Sequence, residues 1–176
     1  MLRELVAEHG FAIIPAVFSR EEIVPLRVEL SQTNLGRGRA GMRNALQNPF
    51  FAAFARAPRL LSVANDVLGA EAFPFRARCS TSLRIPIGAL RGIKTEALPL
   101  RERLEIEGWG PWSVKHGITY ALAPSEAMSK VIALRVHLDD SIASNGPLRV
   151  LPGTHKLGVL DDGSMHQLAG RTPVVE

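Results

Sequence analysis

A single cysteine, Cys79, stands in 176 residues, and an internal disulfide framework is thereby excluded. No apolar run approaches the roughly 20 residues needed to cross a bilayer. The opening ten residues, M-L-R-E-L-V-A-E-H-G, carry acids and lack the apolar stretch and small-residue cleavage site of a secretory signal. No repeat, low-complexity tract or separating linker interrupts the chain. These absences lead to an expectation of a cytoplasmic protein, without a membrane partner, folded as a single domain over residues 1–176. What is present agrees with that. A hydrophobic content of 46% and a charged content of 22% are those of an ordinary globular protein, and the length suits one domain with a real core.

The formal charge is +4. Residues 78–97 hold Arg78, Arg84, Arg91 and Lys94 against Glu96 alone, and the remainder is close to neutral. The other basic residues are scattered among acids rather than gathered into a stripe with aromatics, so no nucleic-acid partner is expected.

Gly10 to Phe18, bounded by glycine and interrupted by Pro15, reads as an early strand. Ser19-Arg20-Glu21-Glu22 is a capping box, with the glutamate three residues after the serine. Ile23, Leu26 and Leu30 follow at helical spacing, which predicts a helix to about Gln32. Thr33 to Gly41, rich in Gly and Arg, reads as a loop. Two further helices are predicted over Phe50–Ala55 and Pro58–Leu68. The second buries Leu60, Leu61, Ala64, Val67 and Leu68, and Gly69 ends it. Val131 to Leu138 alternates as a strand, with Ile132, Leu134, Val136 and Leu138 on one face and Ala133, Arg135 and His137 on the other. Ser144-Asn145-Gly146-Pro147 is a turn signal, and Leu148 to Leu151 reads as the returning strand. Helices first and strands later point to α+β.

Three blocks carry a sharper message. They are R-E-R-L-E-I-E-G-W-G-P-W-S-V-K-H-G (Arg101 to Gly117), V-I-A-L-R-V-H-L-D-D (Val131 to Asp140) and N-G-P-L-R-V-L-P-G-T-H-K-L-G (Asn145 to Gly158). In that order and spacing they resemble the phytanoyl-CoA dioxygenase family of non-haem iron, 2-oxoglutarate-dependent oxygenases. The resemblance implies a double-stranded β-helix, or jelly roll, with N-terminal helices. It implies Fe(II) and 2-oxoglutarate as cofactors, and hydroxylation of a small or acyl substrate as the activity of intact relatives. Gly41, Arg43 and Asn44 match a further block, G-x-R-N, in which Arg43 is read as structural. The G-W-G-P-W loop is implied to lie near the active-site mouth. Its Trp109, Trp112 and Lys115 then either face substrate or, for the indoles, pack beneath the loop.

Family members also carry F-D-K-x-P-x-x-N-W and then W-H-Q-D just before the equivalent of Arg101. The histidine and aspartate bind the metal, since residues i and i+2 of a strand share a face. Aligned without gaps, that slot falls here on Ile93-Lys94-Thr95, where neither Ile93 nor Thr95 is a ligand. A one-residue shift to Lys94-Thr95-Glu96 keeps a carboxylate but sets a cation where imidazole belongs. Codons built from the third base of one residue and the first two of the next recover the lost motif. Cys79-Ser80 can yield Phe, Ser80-Thr81 Asp, Thr81-Ser82 Lys, Leu83-Arg84 Pro, Pro86-Ile87 Asn and Ile87-Gly88 Trp. Arg91-Gly92 can yield Trp, Gly92-Ile93 His, Ile93-Lys94 Gln and Lys94-Thr95 Asp. These ten matches at the family spacing are read as a pair of compensating frameshifts near residues 78 and 98, in the gene or in its sequencing, with ordinary divergence as the alternative.

The resemblance further implies a distal histidine ligand and an arginine that grips 2-oxoglutarate, both beyond the equivalent of Glu176. The expectation is therefore a C-terminally incomplete, truncated domain, with no catalytic, cofactor-binding or metal residue of the family in place and the activity lost. An open sheet edge would favour self-association. A non-catalytic ligand- or partner-binding pseudoenzyme is the alternative. A second H-x-D, His137-Leu138-Asp139, could hold a metal with His155 or His166, although Asp139 or Asp140 capping the next turn is the plainer role. His155, in P-G-T-H-K, is read as ordering its loop, with Lys156 near substrate. His116 and His166 are read as exposed, and Tyr120 as a pocket residue at most.

Overall fold

The computed structural model describes residues 1–33, 42, 44–79, 97–115, 117–140, 142, 148, 150–158 and 160–169. They divide into two compact units, Met1–Arg91 with Leu134–Glu176, and Gly92–Ala133. Helices and one small antiparallel sheet make the protein α+β.

The first unit opens with α1 (Leu2–His9), a helix that buries no residue of its own. At eight residues it is too short to stand alone in water. Helix α2 (Arg20–Gln32) begins at the expected capping box. The Ser19 hydroxyl accepts from the Glu22 N–H at 3.3 Å, and the Glu22 carboxylate accepts from the Ser19 N–H at 2.8 Å. Leu26 is the buried residue of this helix. Asn48 caps α3 (Pro49–Ala55) by accepting from the Phe50 N–H at 2.8 Å. Its amide also donates to Glu29 at 2.9 Å, which ties α3 to α2. Leu26, Ala45 and Phe51 form the core, with Leu30, Met42, Phe54, Ala77, Cys79 and Leu138 packed around it. Met42 and Cys79 exchange both backbone hydrogen bonds, at 2.9 and 3.0 Å, closing this core on one side. Helix α4 (Pro58–Leu68) starts on proline and ends on Gly69 in the left-handed region, as expected. It buries Leu60 and Ala64, with Leu61, Val67 and Leu68 half-buried beside them.

Arg59 joins these parts. Its Nη1 donates to Val17 O at 3.1 Å and to Glu22 Oε2 at 2.9 Å, and its guanidinium lies 5.6 Å from the centre of the Phe18 ring. The Ser19 N–H, followed by Arg59, holds the Glu22 carboxyl below its usual value of 4.5. A carboxyl that titrates lower when folded contributes stability above its ordinary value. That contribution is lost as the pH falls through the folded value. Thermal midpoints should therefore drop on acidification below about 4.5. Glu22→Gln, which can keep the capping geometry, should lessen the drop in circular-dichroism melts. Equal drops for the two proteins would overturn this assignment.

The second unit contains β1 (Ala97–Leu100), β2 (Trp112–Lys115), β3 (Ile118–Leu122) and a single helical turn, α5 (Ser125–Met128). Strand β3 is central, antiparallel to both neighbours, with Tyr120 opposite Pro99 on one side and Ser113 on the other. Ala121 is fully buried. These strands were not among the sequence expectations. The pattern was nonetheless readable: W-S-V-K and I-T-Y-A-L are separated by two residues, His116-Gly117, a hairpin signal.

The early strand expected over Gly10–Phe18 is not formed. Gly10 ends α1 in the left-handed region instead, Pro15 has no N–H for a ladder, and Ala16 turns the chain at φ 54°. The strand expected over Val131–Leu138 is also absent. Val131 finishes a turn by donating to Met128 O at 3.0 Å, and residues 131–138 carry no ladder. From Leu134 the alternation partly survives as burial. Val136 and Leu138 are half-buried while Arg135 and His137 are exposed, but Leu134 is exposed as well. Alternation encodes which face is covered and leaves the partner strand unspecified. Among the described residues of the returning strand, Val150 forms an isolated bridge. The loop at 34–41 and the turn at 144–147 lie outside the described residues.

Candidate functional site

The slot Ile93-Lys94-Thr95, its shifted version ending at Glu96, and the anomalous segment from Ser80 onward lie outside the described residues, as do Gly41, Arg43 and His116. The remaining candidates fall in three places.

His137 and Asp139 are both exposed. The Asp139 carboxylate meets the Arg27 guanidinium at 3.1 Å, so a fixed cation on α2 occupies the acid. Among the described residues no group of three His, Cys, Asp or Glu could hold a metal ion, and His166 lies exposed on α6 (Asp162–Ala169). The described donors therefore do not fit an iron site. Partial burial pushes the Cys79 thiol pKa up.

The P-G-T-H-K motif performs a structural task. Thr154 to Lys156 of the motif, with Leu157, form a 3₁₀ turn against the end of α1. Gly153 N–H donates to His9 O at 2.8 Å, and His155 Nε2 lies 3.0 Å from Ala7 O. A carbonyl only accepts, so the ring proton sits on Nε2. Two carbonyls at the end of α1 are thus satisfied from a segment far along the chain. His9, Phe11, Leu151 and Thr154 complete a shallow cleft of about 160 Å³ here. The expectation that His155 orders its loop agrees with this contact. Lys156 is exposed.

The third place is the G-W-G-P-W loop of the second unit. Leu100, Arg101, Glu102, Leu104, Ile106, Trp109 and Trp112 line a cleft of about 140 Å³. Its walls are mostly apolar, with Arg101 and Glu102 supplying the charge. Arg103, which also meets Glu105 at 3.2 Å, lies 5.9 Å from the centre of the Trp112 ring. Gly110 stands at φ 126°, and a Cβ there would fall 3.3 Å from the Trp112 ring, so the indole lies against bare backbone. Lys115 is exposed at the end of β2, and Tyr120 is half-buried in the sheet. The structure thus brings Trp109 and Trp112 together with Arg101. The cleft is smaller than the roughly 300–1,000 Å³ that encloses a whole small-molecule ligand. It can receive an apolar side chain or a small fragment, and its described lining holds no nucleophile–base pair. Arg103 was missed in the sequence because nothing in R-E-R distinguishes a stacked arginine from a solvated one.

This geometry defines an α+β protein with an apolar surface cleft in its sheet unit. No family model matches the chain, and no curated protein or solved structure matches it either.

Proposed function

We propose that this chain is a remnant of the phytanoyl-CoA dioxygenase family, in which Fe(II)/2-oxoglutarate-dependent hydroxylation has been lost. The observation that carries the reading is local. The blocks from Arg101 to Gly158 keep the family order, while the metal slot before them reads Ile93-Lys94-Thr95. The exposure of His137 and the engagement of Asp139 by Arg27 support loss of the chemistry rather than its transfer to the second H-x-D. The full fold in this reading is the double-stranded β-helix with N-terminal helices. The antiparallel sheet of β1, β3 and β2 is compatible with it.

Two measurements test the proposal. The coding DNA across codons 76–100 should be compatible with Phe-Asp-Lys and Trp-His-Gln-Asp in the shifted frame; incompatible codons would sink the frameshift. Calorimetric titration with Fe(II) should show no tight site, and 2-oxoglutarate should not be consumed. Tight binding abolished by His137→Ala would instead establish a metal site at His137 and Asp139. The indole-walled cleft favours a non-catalytic binding role as the second reading, and cooperative folding without metal is its expected signature.

A further inference from the structure

We propose that β2 is a docking edge for a second copy of this chain, pairing antiparallel with its own equivalent about a two-fold axis at Ser113. The argument begins with which backbone groups the sheet leaves unused. Leu122 N–H donates to Pro111 O at 3.4 Å, and Leu122 O, which Pro111 cannot serve, accepts from the Gly110 N–H at 2.9 Å. Pro111 therefore turns inward to β3. Alternation then turns Ser113 and Lys115 inward as well, opposite Tyr120 and Ile118. Trp112 and Val114 turn their N–H and C=O groups outward, away from β3.

The same phase on the far side makes Leu98 and Leu100 face β3 and turns Ala97 and Pro99 outward. Pro99 thus removes a donor from the β1 edge, a common protection of edge strands, and Ala97 already has a partner. Strand β2 carries no proline, and its one edge charge is Lys115; among the described residues no third strand pairs with it. Its Val114 side chain is 71% exposed, and the neighbouring apolar residues Leu104 and Ile106 are about half exposed.

The outward groups allow a register with few rivals. Trp112 of one copy pairs with Val114 of the other through both backbone bonds, and the reverse pair is identical by symmetry. Ser113 meets Ser113 at the axis, a small uncharged contact. The one charged side chain of β2, Lys115, falls opposite Pro111 of the other copy, so no like charges meet. Trp112 and Val114 share a sheet face, which sets the exposed valine of one copy against the indole of the other, an aromatic–β-branched pair. It also brings that valine to the rim of the 140 Å³ cleft that Trp112 lines, a space suited to an apolar side chain. The ribbon buries less than the roughly 1,000 Å² of a stable interface, so the dimer is weak and depends on concentration.

Sedimentation of the full chain over a concentration series should show mass rising from 19.1 kDa toward twice that value. Val114→Pro removes an amide that makes no bond among the described residues. It should abolish the heavier species while leaving the thermal midpoint unchanged. In a Cys79→Ala background, Ser113→Cys sets two thiols at a non-hydrogen-bonded pair. There Cα atoms lie about 4.5 Å apart, within disulfide range, so mild oxidation should give a covalent dimer. Lys115→Cys, displaced from the axis, should not. A chain that stays monomeric at every concentration overturns the proposal. So does a dimer that survives Val114→Pro, or cross-linking that is equal at 113 and 115.

Discussion

Phe51→Ala is expected to destabilise the protein by about 3–4 kcal/mol. Phe51 is only 5% exposed and closes a core whose other buried members are Leu26 and Ala45. Removing its ring leaves a void bounded by α2 and by the Met42–Cys79 pairing, both held by backbone hydrogen bonds and so poorly able to collapse inward. Among the described residues few are buried beyond this cluster, so the loss is a large share of a typical stability of about 5–15 kcal/mol. Phe50, its neighbour at 5.6 Å in an edge-on arrangement, is 38% exposed. Phe50→Ala should cost about 1 kcal/mol, the lost ring contact and part of the burial. Urea titrations of the two variants check this, and equal midpoints would show that the ring of Phe51 is not the keystone of the unit.

Gly10→Ala should release α1 rather than unfold the molecule. Gly10 stands at φ 85°, where an alanine costs about 1–2 kcal/mol. A Cβ there would also lie 2.5 Å from His155 Nδ1. The ring cannot retreat without breaking its bond to Ala7 O, which is worth about 1 kcal/mol. Together the loss is about 2–3 kcal/mol. Because α1 buries nothing of its own, it falls on local opening. Amide exchange over Val6–Gly10 should accelerate by about 30-fold or more, since 1.4 kcal/mol is tenfold. Exchange in α4 should stay unchanged. In a His155→Ala background the clash disappears, and Gly10→Ala should cost only its left-handed penalty. Effects that add to within about 0.5 kcal/mol would refute the contact.

The helices were legible because their signals are local. Ser19 and Glu22 are three residues apart, Leu60 and Ala64 four, and Pro58 and Gly69 bracket α4. The failures share a cause. Gly10–Phe18 and Val131–Leu138 have the apolar patterns of strands, but a strand exists only where a second segment offers its ladder, and periodicity does not name that segment. Helix α1 went unrecognised although Leu2, Leu5 and Val6 stand at helical spacing, because it is short and buries none of them. Its support comes from Gly153 and His155, far along the chain. The sites divide in the same way. Trp109 and Trp112 stood out as a pair, whereas Arg103 over Trp112 and Arg27 on Asp139 are pairings that no spacing announces.

By itself, then, the sequence determined the capped helices α2 and α4, the α+β composition and the absence of a ligand pair at Ile93-Lys94-Thr95, since each depends on residue type and short spacing. Only the tertiary structure decided that P-G-T-H-K anchors α1, that Asp139 is held by Arg27, and which backbone groups of β1 and β2 turn away from β3. Those outcomes depend on which distant groups meet, and on the phase in which β3 takes up the hydrogen bonds of its neighbours.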